Sequence, residues 1–308
     1  MRVTTKMKKF GAMTLTGMML LGALAGCGGS SDTESTAGQG SGSSAGTSSM
    51  SGTIDVVSRE DGSGTRGAFV ELFGILTENG EEKIDNTTID AIIANQTEVM
   101  MQNVAGDEYA IGYASLGSVN DSIKVLDIDG AEATTENVLN GSYKVARPFN
   151  IATNGEATGA ARDFINFILS AEGQQVVNDS GYIQVDGEAE AFTSDGSAGE
   201  LTVAGSSSVT PVMEKLKEAY EQVNPNVQIT IQESDSTTGM NNAIEGVCDI
   251  GMASRELSDE ELATLTPIQI ALDGIAVIVN PENPTEGLTS EQVRAVFTGE
   301  ITDWSEIG

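Results

Sequence analysis

The sequence predicts an α/β protein with open sheets, arranged as two compact lobes. Three observations carry this. Short β-branched runs alternate with amphipathic helical stripes from about residue 53 onward. Three times, a strand runs into small hydroxyl and Gly residues and a helix follows. The length also suits two lobes better than one.

The first elements set the compartment. Arg2, Lys6, Lys8 and Lys9 form a basic start, and Phe10 to Ala23 is an apolar run too short to span a bilayer comfortably. Residues 1–26 therefore read as a cleaved signal. The run ends in Leu24-Ala25-Gly26-Cys27, similar to a bacterial lipobox. Cleavage before Cys27 leaves a thiol able to carry a diacylglycerol, with an N-acyl chain on the new amino terminus. Several chains anchor far more firmly than one, at about 0.8 kcal/mol per buried CH₂. Residues 27–52 are then the lipidated cysteine and a flexible tether, dominated by Gly, Ser and Thr.

The body follows. Ile54 to Ser58 is a strand, and Ala68, Phe69, Leu72, Phe73 and Leu76 line one face of the next helix. Ala161 to Val177 reads as one long amphipathic helix, with Phe164, Ile165, Ile168 and Leu169 inward. Asp186 to Glu200 is poor in apolar residues and reads as a surface linker. Val203-Ala204 ends a strand, and a helix follows with Pro211 in its first turn and a stripe from Val212 to Val223. Val227, Ile229 and Ile231 alternate as a strand. Ile275 to Val279 is a continuous buried run, and Thr289-Ser290-Glu291-Gln292 is a capping box.

Composition removes several function classes. The chain carries 15 Lys+Arg against 46 Asp+Glu, a formal charge of −31. Residues 1–26 hold four of the basic residues and no acidic one, so their loss takes the charge to −35. Such a surface repels nucleic acid and anionic lipid headgroups. There is no histidine, which removes Ser-His-Asp and Cys-His catalysis and the common zinc sites. A Walker-type phosphate loop is absent too, and no cofactor is expected. Of the two cysteines, Cys27 would be lipidated, so Cys248 has no disulfide partner and reads as a buried structural thiol.

The three strand-to-helix loops are Ser58 to Thr65, Gly205 to Ser208, and Ser234 to Gly239. A helix start presents unpaired N–H groups and about half a positive charge. Small residues let an anion approach that backbone, and hydroxyls add donors. N-capping alone explains the Ser and Thr residues, but Arg59 beside a Gly-Ser-Gly-Thr turn adds a guanidinium able to hold two oxygens of one anion. A tetrahedral oxyanion is the natural guest. Asp61 is placed to orient Arg59.

At these residues a family becomes recognisable. Ser58-Arg59-Glu60-Asp61-Gly62-Ser63-Gly64-Thr65-Arg66 resembles the signature of phosphate-binding proteins of the Pst ABC importer. Ala204-Gly205-Ser206-Ser207-Ser208-Val209-Thr210-Pro211 is similar to that family's opening anion loop. The runs Cys248 to Arg255 and Phe297 to Trp304 resemble two further family motifs. The resemblance implies a two-lobed periplasmic-binding-protein type II fold, with the anion in the interlobe cleft. It implies inorganic phosphate as ligand and the permease and ATPase subunits of an ABC importer as partners. Carried over residue by residue, the phosphate contacts fall on Arg59, Ser63, Gly64 and Thr65 in one lobe. In the other they fall on Ser207, Ser208, Thr237 and Ser254, with Ser236 and Thr238 as neighbours that could take the place of Thr237. Asp61 becomes the partner that holds Arg59. Arg66 lies beyond the matched contacts and is expected to matter little. Some family members have Asp where Ser254 stands, so rejection of sulfate is less strict here.

The order differs from the family's. There, the segment like Leu201 to Gly308 precedes the one like Thr53 to Val185; here it follows. This resembles a circular permutation, with residues 186–200 linking the old termini; a shuffled or truncated tandem gene would give the same order. The implied lobes are residues 53–148 plus 280–308, and residues 149–279 including the linker. The crossings are expected at Ala146-Arg147-Pro148 and Asn280-Pro281. Two other readings compete: a sensor or binder of another oxyanion such as sulfate, and a phosphate-ester hydrolase using Ser63 or Ser207. The hydrolase lacks a histidine base, and no Ser-x-x-Lys motif lies in these loops.

Overall fold

The alternation of buried strands and amphipathic helices becomes one twisted assembly in the structure, a computed structural model that describes residues 50–79 and 82–307. The signal, Cys27 and most of the tether lie outside the described residues. Among the described residues the main sheet has ten strands, and eight of them form its continuous path: β1 (Asp55–Arg59), β2 (Ile92–Ala94), β3 (Ala110–Ser115), β4 (Ala146–Asn154), β5 (Gly199–Ser206), β6 (Val227–Ser234), β7 (Ile250–Ala253) and β8 (Leu265–Val279). Their spatial order is β6-β5-β7-β4-β8-β3-β1-β2. On one side β1 runs parallel to β2 and β3, and on the other β5 runs parallel to β6 and β7. Each parallel set needs helical crossovers to connect its strands, which is the α/β signature of the sequence.

The long strand β8 joins the two sets. Leu265 to Gly274 pairs antiparallel with β4, and Ile275 to Val279 pairs antiparallel with β3. Two cores result. In the first lobe Phe69 stacks on Tyr113 and meets Phe297 edge-on, over Ile275 to Val279. In the second, Phe164, Phe167, Leu216 and Tyr220 pack over Val203 and Ile250. The return crossing therefore falls at Gly274/Ile275, not at Asn280-Pro281, and Ile275 to Val279 belong to the first lobe rather than the second. An unbroken apolar strand carries no mark where it changes partners, whereas Pro281 only shapes the loop beyond it.

Among the described residues, seven helices of eight residues or more complete the frame: α1 (Gly64–Leu72), α2 (Thr97–Ala105), α3 (Gly159–Ile168), α4 (Ala171–Asp179), α5 (Thr210–Val223), α6 (Ser236–Ile244) and α7 (Ser290–Phe297). The capping box of Thr289 and Gln292 opens α7 as the spacing requires. Two helices differ from their periodicity. The first stops at Leu72, and Leu76 instead opens a hairpin strand, Leu76–Asn79. The long helix expected over Ala161 to Val177 is two, because Ser170 caps α4 by accepting from Gly173 N while donating to Phe167 O at 2.7 Å. A serine hydroxyl competing for backbone groups ends a helix even where the apolar stripe continues.

The linker is pinned. Phe192 packs edge-on against Phe167, and the Ser194 hydroxyl and Asp195 N–H both donate to Asp163 of α3. The first and last described segments meet as well: Ile54 N donates to Thr302 O and Trp304 N to Gly52 O, both at 2.9 Å. Cys248 is buried, and burial pushes its thiol up to about 11, as a structural cysteine requires.

Candidate functional site

Four helix starts converge between the lobes. Strands β1, β5 and β6 run into α1, α5 and α6 through the three loops read from the sequence, and β2 leads to α2. Small residues are needed at the junction. A Cβ on Gly64 would strike the Ser236 hydroxyl and come within 2.9 Å of Ser254 Oγ. Behind it, a Cβ on Gly239 would lie 2.5 Å from Gly205 Cα, so α6 seats directly on β5.

Arg59 is 2% exposed. Its Nη2 donates to Ser207 Oγ across the lobes at 3.0 Å, and its Nη1 to Thr97 Oγ1 at 3.2 Å. Thr97, the first residue of α2, also lies 3.0 Å from Ser208 Oγ. Thr65 Oγ1 is 2.8 Å from Ser208 Oγ and 3.4 Å from Ser254 Oγ. Ser206 donates to Ser254 Oγ at 3.0 Å, and Ser254 N donates to Ser236 Oγ at 3.1 Å. Seven hydroxyls from both lobes thus form one buried cluster between two guanidiniums, because Arg147 Nη2 donates to Thr65 Oγ1 at 3.0 Å. Such a set offers N–H and O–H donors converging from two sides, the chemistry that suits a tetrahedral oxyanion.

Of the residues named from sequence, Arg59, Thr65, Ser207, Ser208 and Ser254 meet in this cluster, and Gly64 abuts it. Ser63 caps α1 by accepting from Arg66 N at 3.3 Å. Thr237 stands apart. Its N–H and hydroxyl both donate to Gly62 O at 3.2 Å, and its hydroxyl accepts from Arg255. The fully buried Ser236 takes the place in the cluster. Asp61 is not the partner of Arg59. Its side chain points to solvent and pairs with Arg66, while Glu60 takes Arg59 at 2.8 Å from both Nε and Nη2. Arg66 also pairs with Asp85 and donates to Arg59 O, clamping the loop from outside the hydroxyl cluster.

Sequence reasoning missed Thr97, Ser206 and the place of Arg147. Ser206 sat within the quoted Gly205 to Ser208 loop and Ser236 beside Thr237. Thr97 has no such signal, since Asn95-Gln96-Thr97 lacks the glycines that marked the other loops.

Comparisons with known proteins agree with the geometry. Residues 39–172 and 190–308 match the PBP superfamily domain. The phosphate-binding protein PstS 2 of Streptococcus agalactiae serotype V is 50% identical over 305 residues, covering 98% of this chain and 99% of that one. The phosphate-binding protein PstS of Bacillus subtilis is 30% identical over 131 residues, 40% of this chain and 44% of that one. Among solved structures, a phosphate-binding protein of a phosphate ABC transporter from Streptococcus pneumoniae TIGR4 is 48% identical. It superposes with a TM-score of 0.68 over 83% of this chain and 100% of that chain.

Proposed function

Because this chain belongs to the PstS family of phosphate-binding proteins, we propose that it captures inorganic phosphate outside the cytoplasmic membrane and delivers it to an ABC importer. The family consists of substrate-binding proteins rather than enzymes. The observation that carries the ligand is the Arg59 guanidinium meeting hydroxyls of both lobes, with Thr65 and Ser208 2.8 Å apart across the cleft. An anion bound there touches both lobes at once, and hinge closure follows from those contacts. The permease and ATPase subunits receive the closed form.

Sulfate is the second reading, and Ser254 is its reason. The side-chain neighbours that hydrogen-bond its hydroxyl are Thr65, Ser206 and Ser236, all hydroxyls themselves. A hydroxyl accepts the proton of HPO₄²⁻ without repelling an unprotonated dianion as a carboxylate would. Calorimetric titration with phosphate, then sulfate, tests both readings. Phosphate at a hundredfold excess over its Kd should stabilise the protein by about 2.7 kcal/mol. A folded protein whose melting temperature responds to neither anion would sink the proposal.

The order of the halves reads as a circular permutation. Supporting it, Gly52 to Ile54 lie against Thr302 to Trp304, so the segments joined in the usual family order are neighbours in space. The Streptococcus agalactiae relative shares the present order end to end, whereas the Bacillus subtilis relative matches over less than half its length. That full-length match favours a settled rearrangement over a truncated tandem gene.

Anchoring rests on Cys27. Its replacement, Cys27→Ser, should release the protein into the medium or leave the precursor unprocessed, as read by membrane fractionation. Unchanged membrane association would defeat the lipid-anchor reading.

A further inference from the structure

Arg147 lies in none of the anion loops. It stands at the start of β4, where the chain leaves the first lobe, and Asp273 faces it in β8, two residues before Ile275, where β8 enters that lobe. Both side chains are buried, 2% and 1% exposed, and Arg147 Nη1 donates to Asp273 Oδ2 at 2.7 Å. The other donors leave the hinge. Nε donates to Ser254 O at 2.9 Å in the second lobe, and Nη2 to Thr65 Oγ1 at 3.0 Å in the first. One guanidinium therefore touches both crossing strands and both lobes.

Stability does not explain this arrangement. Taking two charges out of water costs about as much as their attraction returns, and well-packed apolar replacements are often neutral. The hydrogen-bond accounting points elsewhere. By donating to Thr65 Oγ1, Arg147 fills one acceptor position of that hydroxyl, so the Thr65 proton must be aimed at another oxygen. The nearest are Ser208 Oγ and Ser254 Oγ, both across the cleft. The same guanidinium holds the carbonyl of Ser254, fixing the residue whose hydroxyl Thr65 faces.

We propose that Arg147, held in place by Asp273, is a positioning residue of the anion site, orienting the Thr65 hydroxyl as a donor toward bound phosphate. The proposal rests on the phosphate reading above. It separates the role of this arginine from that of Arg59: Arg59 faces the anion, and Arg147 acts through Thr65.

A mutant cycle tests it, using calorimetric phosphate titration and melting temperature without phosphate. The double replacement Arg147→Met/Asp273→Leu removes both charges together and should fold, but bind phosphate about tenfold or more weakly, the worth of one oriented hydrogen bond. Thr65→Val should weaken binding about tenfold in the parent and much less in the double variant, since the orientation it depends on is already lost. Parental affinity in the folded double variant overturns the proposal, as does a full tenfold effect of Thr65→Val in that background. Should the double variant fail to fold, Arg147→Lys keeps the charge beside Asp273, yet its single ammonium cannot span Thr65 and Ser254. The same weakening and the same loss of additivity are then expected, and parental affinity again overturns the proposal. A parent that binds no phosphate overturns the functional reading and takes this inference with it.

Discussion

Phosphate binding should weaken tenfold to hundredfold or more when Arg59 is replaced by alanine. The chain carries a large negative charge and its guest is an anion, so long-range attraction cannot supply the affinity. Local donors must. Arg59 is buried, and it is the guanidinium that reaches Ser207 and Thr97 directly, on the two sides of the cleft. Charge-assisted hydrogen bonds in such a place contribute roughly 1.5–3 kcal/mol each. Loss of one or two corresponds to the stated range. Removing Arg59 also strips Glu60 of its partner and leaves a carboxylate near the anion, which adds repulsion. Arg59→Lys should fall between parent and alanine, because an ammonium keeps the charge but cannot serve Glu60, Thr97 and Ser207 together. Ser63→Ala should cost less than Arg59→Ala, since its hydroxyl caps α1 rather than joining the cluster. Calorimetry on the three variants, with melting temperatures as a control for folding, decides the order. An alanine variant that binds phosphate as tightly as the parent would show that the first lobe's contacts are misassigned.

What the sequence disclosed about this site follows the range of the interactions. Capping boxes, helix starts and the Gly-Ser-Gly-Thr turn are local, decided within four or five residues, and Thr289, Ser63 and Ser207 were legible for that reason. The partner of Arg59 was misread by one residue. Asp61 follows the turn outward to solvent, whereas Glu60, the residue directly after β1, reaches both Nε and Nη2 of Arg59. Arg147 was read only as part of a hinge, because its partners Asp273, Thr65 and Ser254 are 82 to 126 residues away in the chain. No pattern within a window of ordinary length carries such a pairing. The crossing in β8 was misplaced for a related reason: one continuous apolar strand serves both cores, and only its neighbours reveal where one lobe ends.

The seam between the halves should prove as important to stability as the cleft is to binding. Asp163 is 1% exposed and lies under the linker. It accepts from Asp195 N–H and the Ser194 hydroxyl in the linker, and from Tyr220 OH and Asn224 Nδ2 on the helix side. Burial works to raise this carboxyl, but the hydrogen bonds outweigh it and hold Asp163 below the ordinary carboxylate range. Asp163→Ala strands several of these donors at about 1–3 kcal/mol each. A loss of about 3 kcal/mol is therefore expected. In a domain of this size that corresponds to a fall of roughly 6–12 °C in melting temperature. The pH dependence has a definite sign. A carboxyl whose folded pKa is depressed stabilises fully above its unfolded value, near 3.9, and loses that contribution as the pH falls through the folded pKa. Asp163→Asn, similar in shape but uncharged, should be clearly less stable than the parent at pH 7, and the difference should shrink as the pH drops below about 4. Thermal unfolding of both proteins from pH 7 to pH 3 measures that difference directly. If the two curves fall in parallel across the range, the linker is held by its packing and not by this carboxylate.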